Sequence, residues 1–410
     1  MGGHVSRRHV LSYARVIRTP GVLPALLSVY AGALPFGILN LALLLFVERR
    51  TGSIEVAGVV IASFGLGNAV GLIVQARFLD GGAPRRTIGA AGLLCTCMLV
   101  VSAFCAPPSV PPRFYFALVG VAGATVPAVT TFVRSSLPAL VADLGERASA
   151  YALLAVLFQA AVATGPLLVS CTLLVAGPMA AILGAAGAVL VATAACLLAA
   201  DGLQSRHRES SARAGGRPRS SAGLRTVVSV GACVGIATGL TAVAVPAAAI
   251  AHRHSVIAGL AFGALAIGDL CGGMIIGGRL GRAWSVTARL QCSLLAAAIA
   301  SMMAAGASYR PVLLVPILFL GGVTGAPIGI TLSTLLDQLV DSRHLAGAYA
   351  VLVSAGVAAA ASGSALASSA MGVTGPAGPL LCGGAVLVVA DVWSIARRRT
   401  FFSDSSLECR

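Results

Sequence analysis

Long apolar stretches follow one another along almost the whole chain, with short polar turns between them. A helix that crosses a membrane needs about 20 mainly apolar residues. The stretches lack the short alternating pattern of a membrane β-barrel. The pattern therefore predicts an all-α membrane protein with twelve transmembrane helices, near residues 21–47, 54–76, 87–106, 114–134, 148–172, 179–199, 226–250, 256–278, 286–307, 312–335, 346–370 and 379–396.

The pattern also repeats itself across the middle of the chain. Ala148-Ser149-Ala150-Tyr151-Ala152-Leu153-Leu154 returns 198 residues later as Ala346-Gly347-Ala348-Tyr349-Ala350-Val351-Leu352, with five of seven residues identical. A duplicated apolar bundle predicts two pseudo-symmetric six-helix bundles that meet near the middle of the membrane, where secondary transporters hold their substrates. We place the first bundle at residues 1–200, a basic linker at 201–225 and the second bundle at 226–410.

Composition and charge narrow the class of protein. With 58% hydrophobic and 10% charged residues and a mean hydropathy of +0.95, a soluble protein is excluded. The net charge of +15 comes from 28 basic residues, all of them Arg. If the amino terminus is cytoplasmic, 23 of them fall on the cytoplasmic side and five outside, namely Arg49, Arg50, Arg113, Arg253 and Arg310.

That asymmetry sets the orientation of a membrane protein during insertion. It predicts a multi-pass protein of the cell membrane with both termini cytoplasmic. It also spreads the Arg residues over many loops, so no nucleic-acid partner is expected. The ten Cys are scattered without metal or redox spacing, and neither a metal nor a cofactor is expected. The chain is expected to act as a monomer in the lipid bilayer.

In the loop after the second predicted span, an acidic residue is followed by a glycine turn and then by two basic residues. It reads Ala76-Arg77-Phe78-Leu79-Asp80-Gly81-Gly82-Ala83-Pro84-Arg85-Arg86, and the matching loop of the second half reads Gly278-Arg279-Leu280-Gly281-Arg282. The first loop resembles the signature Gly-x-Leu-Ala-Asp-Arg/Lys-x-Gly-Arg-Arg of the major facilitator superfamily, with departures at Ala76 and Gly81. Together with the twelve spans, the duplication and the basic linker, the resemblance covers the whole chain.

The resemblance implies two bundles that rock about a central cavity, with the loop acid closing the cytoplasmic side. Asp80 matches that acid, and Arg134, at the inner end of the fourth span, is its expected partner. Arg77, Arg85 and Arg86 complete the expected gate. An exposed ion pair contributes only about 0–1 kcal/mol, which suits a contact that must open. A loop that only fixes topology is the alternative.

Helix breakers inside the spans add a second likeness to the family. Gly165-Pro166 in the fifth span resembles the central Gly-Pro of the superfamily's antiporter signature, although Ala161 and Val169-Ser170 replace the flanking glycines. The drug-antiporter signature of the fourth span is absent, because Phe116 and Val119 occupy its positions. A bend at Gly165 and Pro166 is expected, and antiport is weakened but not excluded.

Asp269 is the one acid well inside a predicted span. Placing a carboxylate there costs about 2.5 kcal/mol or more, so the group should face a cavity or carry a proton. An embedded carboxyl that takes and releases a proton could couple transport to a proton gradient. The alternative is a neutral acid that bonds a neighbouring helix.

Uncharged polar groups inside the spans are candidates for the substrate cavity. Asn40 and Gln159 are favoured because an amide in lipid needs partners. Thr324 and Tyr30 are weaker candidates, since Thr commonly bonds its own helix and Tyr at helical spacing often packs.

The leading hypothesis is a secondary active transporter of a small organic molecule, with protons as coupling ion and export of drug-like compounds or secondary metabolites as the favoured direction. A metabolite uptake permease is one alternative. A membrane enzyme of the prenyl transferase type is another, because Asp337 and Asp341 stand four residues apart. A phosphate-binding loop would need a Lys, and the chain has none, so a primary pump is excluded.

Overall fold

The computed structural model describes residues 22–80, 84–105, 107, 109–140, 144–211, 222–277, 284–340 and 345–401. Within these ranges the chain forms α-helices and two short 3₁₀ helices, at Pro311–Leu313 and Arg398–Phe401. The α-helices are α1 Val22–Thr51, α2 Ile54–Asp80, α3 Pro84–Phe104, α4 Pro112–Ala124, α5 Val129–Leu140, α6 Leu144–Val175, α7 Pro178–Ser211, α8 Ala222–Ala251, α9 Ser255–Gly277, α10 Val286–Gly306, α11 Leu314–Leu339, α12 Leu345–Thr374 and α13 Ala377–Ala396.

Twelve helical segments are long and apolar enough to cross a membrane, which confirms the predicted all-α class and the number of spans. We call helices α1–α7 the first lobe and helices α8–α13 the second lobe, following the predicted bundles. Helix α7 continues to Ser211 and α8 begins at Ala222. The polar segment 201–225 is thus helical at both ends, because residues such as Leu203, Gln204 and Arg206 are good helix formers. Residues 212–221, between them, lie outside the described ranges.

Turns at one end of the bundle repeat from lobe to lobe. Gly177 between α6 and α7 has φ +82°, and Gly375 between α12 and α13, 198 residues later, has φ +60°. Gly52 between α1 and α2 has φ +67°, and Arg253 stands at the same turn of the second lobe with φ 60°. A non-glycine residue rarely adopts this conformation. The tight turns have therefore kept the same backbone shape after the duplication.

The fourth span is divided into two helices, α4 and α5. A side chain of α2 forms hydrogen bonds with the backbone groups between them. Gln75 donates Nε2 to the carbonyl oxygens of Ala124 at 3.1 Å and Val126 at 2.8 Å, and its Oε1 accepts from the Ala128 amide at 3.0 Å. The matching helix of the second lobe, α11, is continuous through Pro327. In the sequence, the residue 201 positions after Gln75 is Ile276, an apolar residue without a hydrogen-bonding group. Freed backbone groups must be satisfied within a membrane, so only the first lobe tolerates a full break.

Equivalent helix pairs pack through the same small residues in both lobes. In α2 a Cβ on Gly67 or Gly71 would overlap a backbone carbonyl oxygen of α4, and in α9 a Cβ on Gly268 or Gly272 would overlap one of α11. The overlapped oxygens belong to Gly120, Ala124, Phe319 and Val323, in that order. Glycine at these positions lets the two backbones of each pair approach closely. The seam occurs once in each lobe, and it aligns the sequences of the two lobes with an offset of 201 residues.

The hydrophobic cores show where the lobes join. We call the end of the bundle with residues 212–221 the linker side and the other end the far side. One core cluster, in the far half, contains residues of both lobes, among them Phe46 and Val243. Toward the linker side each lobe has its own cluster, with Leu26 in the first and Leu336 in the second. The lobes are therefore packed together at the far side.

Candidate functional site

A cavity of about 340 Å³ lies between the lobes, near the midpoint of the helices. Seven of its lining residues come from α1 and α6 of the first lobe and twenty-two from the second lobe. Most of them are apolar, including Phe36, Leu41, Val162, Phe262 and Leu318. The cavity can enclose a small molecule whose body is mainly hydrocarbon.

Asp269 is the only ionisable side chain among the described residues that line this cavity. It projects from α9, and its Oδ2 accepts a hydrogen bond from Nε2 of Gln159 on α6 of the first lobe. Its Oδ1 is buried against α11 of the second lobe, beside the backbone amide of Ala326. A Cβ on Gly325 of α11 would lie 2.6 Å from that oxygen. The carboxyl thus contacts both lobes, through Gln159 and through α11.

The hydroxyl groups of the cavity give their protons to the backbone. Thr238, Thr241 and Thr324 donate within their own helices to carbonyl oxygens three or four residues earlier, at 2.5 to 2.9 Å. Ser301 of α10 donates to the carbonyl oxygen of Leu380 on α13 at 2.8 Å. With their protons committed, these oxygens face the cavity mainly as acceptors.

The other polar candidates are placed as follows. Asn40 lines the cavity from α1 and is exposed to it. Tyr30 lies outside the set of lining residues, and its hydroxyl donates instead to Oγ1 of Thr164 at 3.2 Å, between α1 and α6. The structure therefore brings Asn40, Gln159 and Thr324 together with Asp269, and places Tyr30 inside the first lobe.

Gly165 and Pro166 lie where α1, α6 and the second lobe meet. A Cβ on Gly165 would overlap the backbone of Gly37 on α1, so the two helices cross at contact distance. Pro166 lies within α6, lines the cavity, and brings its carbonyl oxygen to 2.6 Å from the position of a Cβ on Gly259 of α9. These residues hold α6 against both lobes. A bend of α6 at this point remains a prediction.

At the linker side the side chain of Arg134, in the first lobe, contacts the second lobe. The Arg134 guanidinium of α5 lies over the ring of Tyr349 on α12, with Cζ 5.3 Å from the ring centroid. The hydroxyl of Tyr349 donates to Oδ1 of Asp337 on α11 at 3.1 Å or to the carbonyl oxygen of Ser333 at 3.3 Å. Arg134 is thus linked to an acid of the second lobe through an aromatic ring.

The rest of the expected gate lies around the α2–α3 loop. Asp80 is the last residue of α2, and its side chain lies outside the described part of the structure, so the pairing with Arg134 stays a prediction. Arg77 is exposed in the last turn of α2, and Arg85 and Arg86 are exposed in the first turn of α3.

Asn68 is a polar candidate from the sequence whose relation to Asp269 sequence reasoning missed. Asp269 directly follows Gly268, and Asn68 directly follows Gly67, the equivalent glycine of the shared seam. Asn68 is buried and donates Nδ2 to the carbonyl oxygen of Gly123 at 3.4 Å. An offset of 201 residues, rather than the 198 of the longer repeat, aligns the two positions and would have revealed them.

The acid pair considered for an enzyme lies only partly within the described ranges. No group of three or more His, Cys, Asp and Glu side chains is found there that could hold a metal ion. Asp337 is a partner of Tyr349, and Asp341 lies outside the described residues.

Comparison with known proteins gives the same fold. The family profile described as Major Facilitator Superfamily matches residues 25–364. The crystal structure of a mutant of the nucleoside transporter NupG has a TM-score of 0.71, at 11% identity, over 93% of this chain and 100% of that one. A POT family transporter in complex with a thioalcohol-conjugated peptide has a TM-score of 0.70, at 10% identity, over 93% and 97% of the two chains. A mutant of the peptide transporter POT gives 0.70 at 11% identity, over 93% and 94%. No curated protein matches the sequence.

Proposed function

Because the chain belongs to the major facilitator superfamily, we propose that it is a secondary active transporter of a small organic molecule that works by alternating access. The observation that carries this proposal is the cavity between the lobes, in which Asp269 of the second lobe is bonded to Gln159 of the first. A group that ties the lobes together at the binding site can couple occupancy of that site to their movement.

The packing of the lobes supports a specific stage of the transport cycle. Both lobes share a core at the far side, whereas each has its own core toward the linker side. Ser170 of α6 also donates to the carbonyl oxygen of Val256 on α9 at 3.3 Å, across the far-side interface. We therefore propose that the structure is closed at the far side and that substrate enters from the linker side, where the contact between Arg134 and Tyr349 has to open. The Arg distribution predicts that this side faces the cytoplasm.

We propose Asp269 as the proton-coupling group. A carboxylate at mid-membrane is costly unless it is paired, protonated or open to a polar cavity. The side-chain hydrogen bond to this carboxyl comes from Gln159 of the first lobe. When the lobes part, that bond is lost, and the carboxyl must take up a proton or another partner. The movement of the lobes and the protonation of Asp269 are thereby linked.

The cavity favours export of drug-like compounds over uptake of polar nutrients. The structural relatives are named as nucleoside and peptide transporters, whose substrates are rich in polar groups. Here most lining residues are apolar, and a single charged side chain is present. A cavity of this kind suits a molecule that partitions into membranes. We place the protein in the cell membrane, with both termini in the cytoplasm.

The coupling role can be tested with the purified protein in vesicles that carry an imposed pH step. Asp269→Asn keeps the size and polarity of the side chain but cannot titrate. We expect the variant to lose gradient-driven accumulation of a transported compound, identified from a panel of nucleosides, dipeptides and aryl amines, and to keep exchange down the compound's own gradient.

A matched control is Asp391→Asn, an acid inside α13 that does not line the cavity. This variant should keep gradient-driven transport. Normal gradient-driven transport by Asp269→Asn would eliminate the coupling role, and the absence of exchange by the unaltered protein with every class in the panel would contradict the carrier itself.

A further inference from the structure

The described lining of the cavity carries one ionisable side chain. That side chain is Asp269, and no Arg or His is found among the described lining residues. When the carboxyl is ionised, an anionic substrate would meet an uncompensated negative charge in a medium of low dielectric constant, where like charges repel strongly. A neutral substrate would leave the carboxylate without a counter-charge unless the carboxylate first takes up a proton. A cationic substrate balances the carboxylate without that proton.

The hydroxyl groups of the cavity act in the same direction as its charge. The protons of Thr238, Thr241 and Thr324, like that of Ser301, are donated to backbone carbonyl oxygens. Their remaining lone pairs and the carboxylate of Asp269 are acceptors, and the amide of Asn40 offers both donors and an acceptor. A ligand that brings N–H donors matches the hydroxyl oxygens and the carboxylate, whereas a ligand that brings only acceptors does not.

The remaining walls specify the body of the ligand. Phe36, Phe262 and the aliphatic side chains of α1, α8 and α11 surround the polar corner. Phe36 is held by Phe158, with ring centroids 6.4 Å apart, so the aromatic wall is fixed on the first lobe. A volume of about 340 Å³ leaves room for one or two rings.

We propose that the cavity binds protonated amines with an aromatic or aliphatic body, and that the ammonium N–H is donated to the carboxylate of Asp269. The inference rests on the carrier role proposed above and names its substrate class. The ammonium group and a proton are then alternative partners of one carboxyl. Binding of a monocation displaces one proton, and the exchange leaves the charge of the cavity unchanged.

Four compounds on one dibenzyl scaffold separate the contributions of charge and of the N–H donor. They are N-methyldibenzylammonium, its quaternary form dibenzyldimethylammonium, the neutral amide N-benzyl-N-methylbenzamide and the anion dibenzylacetate. Equilibrium binding to the full-length protein in lipid nanodiscs is the measurement. We expect the protonated amine to bind at least tenfold more tightly than the amide, the quaternary ion to fall between them, and dibenzylacetate not to bind.

Asp269→Asn should reduce the affinity for the amine at least tenfold and leave the affinity for the neutral amide within threefold. Retained binding of the amide shows that the variant is folded and that its cavity is intact. Equal binding of amine and amide, or an amine-to-amide ratio that Asp269→Asn does not change, would overturn the substrate class.

A wrong substrate class and a wrong carrier role give different results in these experiments. If the amide or the anion is the compound that exchanges across vesicles, the carrier role stands and the present inference is wrong. If the amine binds as expected and no compound exchanges, the binding site stands and the carrier role is wrong.

Discussion

At the scale of single residues, Asn68 and Asp269 show how a change of one atom separates structure from function. Both follow the first glycine of the seam shared by the two lobes. The amide of Asn68 can donate, and it bonds the facing helix inside the first lobe. An ionised carboxyl cannot donate, and Asp269 instead accepts a bond from the other lobe. The same position is a packing contact in one lobe and an acceptor for an outside partner in the other.

Gly325 gives a test of the position of the Asp269 carboxylate. A methyl group there would lie 2.6 Å from Oδ1 of Asp269, so Gly325→Ala must displace the carboxylate. We expect binding of N-methyldibenzylammonium to weaken several-fold while the protein remains folded. The measurement is the same nanodisc binding assay, combined with thermal unfolding.

Gly329, one turn later in α11, is the matched control because a Cβ there meets nothing within 4 Å. Gly329→Ala should leave binding unchanged and stabilise the helix by up to about 1 kcal/mol. Equal effects of the two substitutions on binding would show that the position of this carboxylate does not determine the affinity for the ligand.

At the scale of elements, most of the helices follow from the apolar pattern, whereas the break between α4 and α5 does not. Pro127 indicates a bend at this point, and Pro327 indicates the same in the second lobe. The difference lies in the hydrogen bonds that Gln75 supplies from a helix 49 to 53 residues earlier. A contact between two helices is not visible in the periodicity of either one.

The contents of the cavity were only partly predictable for the same reason. The cost of an acid or amide in lipid identified Asp269, Gln159 and Asn40 as groups that need a partner. It could not show that Gln159 is the partner of Asp269, because α6 and α9 belong to different lobes. Nor could it place Tyr30, whose hydroxyl finds Thr164 inside its own lobe.

Gln75→Leu tests whether the break depends on the side chain of α2. The substitution leaves two carbonyl oxygens and one amide of the break without these bonds, and each unsatisfied buried group costs about 1–3 kcal/mol. We expect a clear loss of thermal stability in detergent. Thr96→Val is the control, since Thr96 only bonds its own helix, at Gly92, and should change stability little. Equal stability of the two variants would show that water or lipid satisfies the break.

The contact of Arg134 with Tyr349 is predicted to stabilise the present arrangement of the lobes. A cation–π contact at an exposed site contributes about 0.5–1 kcal/mol. Tyr349→Leu should therefore shift the balance between the two access states by about two- to fivefold, and Tyr349→Phe, which keeps the ring, should shift it less. Distances between spin labels on the two lobes report this balance. A larger effect of Tyr349→Phe than of Tyr349→Leu would assign the role to the hydroxyl and its bond to Asp337.

At the scale of the whole molecule, the distribution of Arg predicts which face of the membrane each end of the bundle meets. A reporter that is active only outside the cytoplasm should be active when fused after Arg253, at the far side, and inactive when fused after Arg217, in the linker. The reverse result would exchange the two sides, and the proposed entry of substrate from the linker side would then be entry from the exterior. Substrate recognition, which depends on the cavity alone, would be unaffected.

The unequal shares of the two lobes in the cavity have a consequence for how such a carrier changes over evolutionary time. Twenty-two of the lining residues belong to the second lobe and seven to the first. Most substitutions that could change the transported compound therefore lie in the half of the gene that encodes the second lobe. The other half, which contributes Gln159 to the cavity, can stay the same. Chimeras that exchange residues 226–410 between relatives should inherit the cargo preference of the donor of that half.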